Sequence, residues 1–186
     1  RCAYEASIRI PFLIQWPKTI KPGSRCPAVV TNIDVAPTLL DIAGITIPAE
    51  VDGRSFRDLL SNPELNEESP ALLYEYYWDP SFPQTPTTFA IRNDRYKLIQ
   101  YHGIWDTDEL YDLQTDPQET TNLILDPANQ DRVSEMRKLL HERLTQTQGL
   151  TIPLGRKRNH GQNLRSSTHS KRSSFPPHMI SPGGKK

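Results

Sequence analysis

Thr87-Thr88-Phe89-Ala90-Ile91-Arg92, Asn93-Asp94 and Arg95-Tyr96-Lys97-Leu98-Ile99-Gln100-Tyr101 read as strand, turn and strand. The flanking runs carry β-branched and aromatic residues, and Asn and Asp tolerate the positive φ that a two-residue hairpin demands. Residues 87–101 are therefore expected to form a β-hairpin with Asn93 and Asp94 at its tip. After a loop containing Gly103, Glu109-Leu110-Tyr111-Asp112-Leu113 can add a third strand. Asp116-Pro117 then closes it, because proline pre-sets the first φ of a turn. Upstream, Leu72, Tyr74, Tyr76 and Trp78 alternate with Leu73, Glu75 and Tyr77, the period of a strand beside the hairpin. The sum is a small antiparallel sheet of about four strands, a usual size.

A helix should cover this sheet. Asp126-Pro127 supplies an N-cap followed by proline at the first helical position, which predicts a helix from Pro127 to about Thr147. Val133, Met136, Leu140 and Leu144 then fall on one face, suited to packing on the sheet. Met136 is core filler in this reading.

The first 60 residues have a different texture. Ile8-Arg9-Ile10-Pro11-Phe12-Leu13-Ile14 resembles a strand covered on both faces in an α/β sheet, and Ala28-Val29-Val30 a second short strand. Thr31 stands three residues before Asp34, as in a capping box, and Leu39, Leu40 and Ala43 give a helix an apolar stripe that Gly44 can end. Phe56-Arg57-Asp58-Leu59-Leu60 is expected to be a short helical turn, and the polar, acidic stretch from Ser61 to Pro70 an exposed loop.

No run of about 18 apolar residues exists, so no membrane span is expected, and no signal peptide opens the chain. The net charge of zero hides an asymmetry. From Thr151 to Lys186 there are eight Lys and Arg and no Asp or Glu, whereas the other 150 residues carry 14 basic and 22 acidic side chains. An acidic body with a basic tail results. Ser, Pro and Gly dominate that tail, which has too little apolar surface to offset its ordering entropy, so disorder is expected from Gly155 onward. Clustered Lys and Arg could attract a polyanion, but Phe175 is the tail's only aromatic, which favours a solvated tail over nucleic-acid binding. Cys2 and Cys26 allow one disulfide at most, and neither sits in a Cys-x-x-Cys metal spacing.

The wording of several stretches carries more than their periodicity. Tyr4-Glu5-Ala6-Ser7-Ile8-Arg9-Ile10-Pro11, Trp16-Pro17, Asn32-Ile33-Asp34-Val35-Ala36-Pro37-Thr38-Leu39-Leu40 and Asp52-Gly53-Arg54-Ser55 precede Arg92-Asn93-Asp94-Arg95-Tyr96-Lys97, Glu109-Leu110-Tyr111-Asp112-Leu113 and Asp116-Pro117-Gln118-Glu119-Thr120-Thr121-Asn122-Leu123. In that order they resemble the C-terminal portion of the formylglycine-dependent sulfatases of the alkaline phosphatase superfamily, over roughly Tyr4 to Leu144. The resemblance implies the C-terminal fragment of an α/β fold. Residues 1–60 would end the large α/β domain, residues 61–150 would form a subdomain of four-stranded antiparallel sheet and helix, and residues 151–186 would be the basic tail.

The resemblance also implies sulfate-ester hydrolysis by an aldehyde hydrate made from a Cys or Ser in a Cys/Ser-x-Pro-x-Arg motif, with calcium neutralising the sulfate oxygens. Cys2 and Cys26 both lack Pro two residues on and Arg four residues on, and no Asp-rich ligand cluster stands at a strand end. No catalytic residue and no metal ligand is therefore assigned to this chain. Formylglycine and calcium would belong to the parent enzyme, as would a sulfated small molecule or carbohydrate substrate and a periplasmic, extracellular or lysosomal location. Since the chain begins with Arg1, an upstream part of the same polypeptide is the expected partner.

His102 and Trp105, in the loop after the second hairpin strand, are the candidate substrate-cleft residues: an imidazole and an aromatic ring can bind a sugar and its anion. A plain surface loop is the alternative. Arg9, between apolar neighbours, is expected to make a structural ion pair rather than a substrate contact. The rival readings of the whole are a non-catalytic binding module using the basic tail, and part of a phosphate-ester hydrolase.

Overall fold

The computed structural model describes residues 2–65, 71–79, 81–102 and 107–152. The basic tail beyond Ile152 and the end of the expected acidic loop, residues 66–70, lie outside them. The chain divides into two compact units, Arg1–Ile10 with Ala71–Lys186, and Pro11–Pro70.

In the larger unit, β1 (Leu72–Tyr76), β2 (Thr87–Arg92), β3 (Tyr96–His102) and β4 (Glu109–Asp112) form an antiparallel sheet in the order β1-β2-β3-β4. Its register pairs Glu75 with Phe89, Ile91 with Leu98, and Leu98 with Leu110, so the period of two puts Leu73, Phe89, Ile91, Leu98 and Leu110 on one face. A last helix, Gln130–Gln146, covers that face with Val133, Met136, Leu140 and Leu144, all at most 2 % exposed. The spacing read from the sequence is thus the spacing that packs. Asp126 caps the helix as expected, its carboxylate accepting from the Ala128 amide at 2.9 Å, and the first turn, Pro127–Asn129, is 3-10. Burial of each large apolar side chain here contributes about 1.5–3 kcal/mol.

The hairpin tip differs from expectation. Among the described residues only Lys18, Glu119 and Gln148 combine a side chain with positive φ, so Asn93 and Asp94 do not adopt it. Arg92 pairs with Lys97, which leaves a four-residue connection from Asn93 to Tyr96. The Asn93 amide donates to the Tyr96 carbonyl at 3.0 Å, and its side-chain oxygen accepts from the amides of Arg95 (3.0 Å) and Tyr96 (2.6 Å). The longer loop turns the chain without a left-handed residue, and the Asn side chain replaces the missing backbone bonds.

The opposite sheet face carries Tyr74, Ala90, Ile99, Tyr101 and Tyr111, and it receives Ala3 and Tyr4 from the start of the chain. Residues Glu5–Ile8 form one helical turn, α1. The strand expected over Ile8–Ile14 is absent: Arg9 to Trp16 adopt no regular element, and Ile10 (71 %) and Leu13 (93 %) are exposed. A strand exists only through a ladder, and among the described residues none pairs with this run. Ala28–Val30 forms no strand for the same reason.

The smaller unit is built on α2 (Val35–Ile42), entered through a 3-10 turn at Asn32–Asp34. The capping box forms as read: Asp34 accepts from both the amide (2.8 Å) and hydroxyl (2.7 Å) of Thr31. Its second oxygen accepts from the Arg54 amide at 2.9 Å. Gly44, at φ 70°, ends the helix. Phe56, Leu59 and Leu60, the last two on α3 (Arg57–Ser61), form the core of this unit with Trp16, Ile20 and Ile42. Gly53 passes so close to residue 33 that a Cβ would stand 2.1 Å from the Ile33 carbonyl oxygen. Gly53→Ala should therefore destabilise this unit by about 1–3 kcal/mol through overpacking. A melting midpoint equal to that of the unsubstituted chain would contradict it.

Candidate functional site

Lys97 lies on β3 with its side chain fully buried. Burial of an ammonium is tolerable only if all its protons find acceptors. Here it donates to the Ala3 carbonyl at 2.8 Å and lies 2.8 Å from a Glu5 carboxylate oxygen and 2.6 Å from one of Glu119. Arg92 also reaches Glu5, at 3.2 Å. Glu119, itself 3 % exposed at its side chain and held at φ 56°, accepts the Glu5 amide through its other oxygen. Four charges from three distant stretches thus clip residues 3–5 to the sheet. Burial by itself would raise the Glu5 carboxyl, but the hydrogen bond and charge of Lys97, then those of Arg92, outweigh it and hold the group below its ordinary 4.5.

Beside this cluster, Glu109 collects three phenols. Tyr101 and Tyr4 donate to one oxygen at 2.8 and 3.0 Å, and Tyr111 to the other at 2.8 Å. The Tyr4 and Tyr111 rings meet edge to face, 6.2 Å between centroids. Burial, followed by the hydrogen bond and charge of Glu109, raises the Tyr101 and Tyr111 hydroxyls far above the ordinary 10.0.

Two pH limits follow by linkage. The depressed Glu5 contributes stability that is complete above about pH 4.5 and lost as pH falls through its lower folded value. The raised tyrosines contribute stability that is complete below pH 10.0 and lost above it, because the unfolded chain ionises first. Denaturant midpoints measured against pH should fall at both ends, with alkaline unfolding accompanied by phenolate absorbance. A midpoint unchanged well past pH 10.0 would rule out the tyrosine contribution.

Of the residues singled out in the sequence, His102 ends β3, half-buried, and burial lowers its imidazole from the ordinary value. Trp105 lies outside the described residues. Arg9 does not make the expected ion pair: it is exposed, and among the described residues no carboxylate is recorded within bridging distance. It lines an open cleft with Tyr4, Glu5 and Ala6 on one side and Pro117, Gln118 and Glu119 on the other. Sequence reasoning missed Lys97, Glu5 and Glu119. The available signal was a lysine beside Leu98 and Ile99 in a strand whose neighbours are buried, which must find carboxylates somewhere.

The groups implied by the resemblance do not fit the residues present. Among the described residues no three His, Cys, Asp or Glu side chains converge as metal ligands, and the converging carboxylates of Glu5 and Glu119 are held by Lys97. Cys2 and Cys26 are free thiols, and the Cys2 sulfur lies 3.0 Å from the Ser7 hydroxyl. No chemical step through calcium or formylglycine is derived from them. No helix among the described residues is long and apolar enough to cross a membrane.

A family model described as N-sulphoglucosamine sulphohydrolase, C-terminal, matches residues 1–148. The chain is 35 % identical over 144 residues to an N-acetylglucosamine-6-O-sulfatase of Bacteroides thetaiotaomicron, covering 76 % of this chain and 26 % of that protein. It is 37 % identical over 127 residues to arylsulfatase K of Mus musculus, covering 64 % and 22 %. Among solved structures it is similar to a protein in complex with its substrate D-glucosamine-2-N,6-O-disulfate, with a TM-score of 0.66, 32 % identity, and coverage of 73 % of this chain and 28 % of that one. The chain thus spans about a quarter of the length of the curated relatives it matches. With the sheet, the covering helix and the matched stretches in agreement, this chain belongs to the family of sulfatase C-terminal domains, as the C-terminal part of the fold and not the whole of it.

Proposed function

We propose that this chain completes the fold of a sulfuric ester hydrolase and walls one side of its substrate cleft, while the nucleophile and metal ligands come from the rest of the polypeptide. The match of residues 1–148 to the sulfatase C-terminal family carries this reading. The exposed apolar side chains from Ile10 to Ile14 support it, since a patch that includes Leu13 at 93 % exposure calls for a covering surface. In this reading residues 1–60 end the large α/β domain, and residues 61–150, the small sheet with its helix, wall the cleft. The parent uses calcium and formylglycine and is exported. Its substrate is a sulfated carbohydrate, by similarity to the N-acetylglucosamine-6-O-sulfatase and to the protein bound to a disulfated glucosamine. His102 and Trp105 are its cleft residues in this chain.

The test is sulfate release from N-acetylglucosamine 6-sulfate and an aryl sulfate, with the aryl phosphate beside them. The polypeptide with its preceding sequence restored and the 186-residue chain are run in parallel. Sulfate release by the longer polypeptide and none by the shorter is expected. Release from the phosphate alone, or activity in the 186-residue chain itself, would overturn the assignment.

A further inference from the structure

Arg9 stands beside an open cleft of about 420 Å³ with no opposite charge to meet it. Its backbone is fixed: it closes the α1 turn, and its amide donates to the Glu5 carbonyl at 2.9 Å. The facing wall, Pro117 to Glu119, is held as firmly. The Asp116 carboxylate accepts from the Thr120 and Thr121 amides at 2.8 Å each, and Glu119 accepts from Lys97 and the Glu5 amide. The carboxylates that line the cleft are therefore committed, Glu5 to Lys97 and Arg92, and Glu119 to Lys97. Arg9 also opens the run in which Ile10, Phe12, Leu13 and Ile14 are all exposed, Ile10 to 71 %. Such a run calls for a covering surface. Whatever covers Ile10 also takes water from the neighbouring Arg9, and a guanidinium stripped of water without a carboxylate is strongly unfavourable. The covering surface therefore has to bring that carboxylate with it.

We propose that the cleft beside Arg9 is a docking point for the preceding part of the polypeptide, which sets an Asp or Glu carboxylate against the Arg9 guanidinium as it covers Ile10. This rests on the reading of the chain as the C-terminal part of a longer sulfatase, whose relatives it matches over about a quarter of their length. A guanidinium and a carboxylate meet through two parallel N–H···O bonds, which fixes orientation as well as attraction. The apolar neighbour decides the class of occupant. A substrate anion comes and goes through water, whereas Ile10 needs permanent cover, which a protein surface supplies. Arg9 thus makes the structural ion pair expected of it, with a partner that lies outside this chain.

Phenylglyoxal, which modifies accessible guanidinium groups, tests this by peptide mass spectrometry on the 186-residue chain and on the polypeptide with its preceding sequence restored. Arg9 should react about tenfold more slowly, or slower still, in the longer polypeptide. Inorganic sulfate and N-acetylglucosamine 6-sulfate, added separately, should leave both rates unchanged. Arg9→Gln should speed amide exchange of residues 5–9 about tenfold in the longer polypeptide. In the 186-residue chain, where the side chain has no partner to lose, the same substitution should change it by no more than about twofold. Equal reactivity of Arg9 in the two polypeptides would overturn the proposal. So would protection that depends on added sulfate or sugar, which would make Arg9 a substrate contact. Amide exchange that Arg9→Gln leaves unaltered in the longer polypeptide, or speeds equally in both, would overturn it too. None of these readouts needs sulfate release, so a failed hydrolysis assay and a failed docking point are told apart.

Discussion

Lys97→Met should lower the unfolding free energy of the sheet-bearing unit by about 3–5 kcal/mol, the cost of leaving buried carboxylates without their partner. Methionine nearly preserves the volume, so the loss reports charge and hydrogen bonds rather than a cavity. Glu119 is the more severely stranded, at 3 % side-chain exposure, while Glu5 keeps Arg92 at 3.2 Å. The second substitution Glu119→Gln, added to Lys97→Met, should therefore recover part of the loss, and Glu5→Gln less. Hydrogen exchange should localise the damage: amides of residues 5–9 lose protection first, because Lys97 also holds the Ala3 carbonyl at 2.8 Å. An unchanged denaturation midpoint would mean that the cluster contributes nothing net to stability.

Phe89→Ala should be as damaging, about 3–5 kcal/mol, for a different reason. The ring is fully buried between the sheet and the last helix and meets Tyr77 edge to face at 5.8 Å. Removing it leaves a cavity that Met136, Leu140 and Leu144 on a rigid helix can only partly fill. The control is Leu125→Ala, at 80 % exposure, which should change stability by no more than about 0.5 kcal/mol. Equal effects at the two positions would contradict the assignment of the core.

Both substitutions strike residues on β2 and β3, the hairpin from which the sequence could be read outward. Periodicity fixed the strands there because one face is buried against the helix: Phe89, Ile91 and Leu98 could not shift by one residue without moving to the other face. The helix was equally legible, since its cap at Asp126 and its stripe from Val133 to Leu144 are local signals. The turn was less so. Asn93 and Asp94 suit a two-residue hairpin, yet the register Arg92 with Lys97 made a longer loop in which the Asn side chain closes the turn. Ile8–Ile14 misled for a deeper reason, because a strand's hydrogen bonds belong to its neighbours and not to its own sequence.

By itself the sequence determined the sheet, its covering helix, the capped helix of the smaller unit and the family, all of which rest on patterns within a few turns or on stretches matched in order. Only the tertiary structure decided that Lys97 would meet Glu5 and Glu119, and that three tyrosines would converge on Glu109. Those meetings join residues up to 105 positions apart. A chain encodes such contacts only through the register of its strands, and that register is settled when the whole sheet packs.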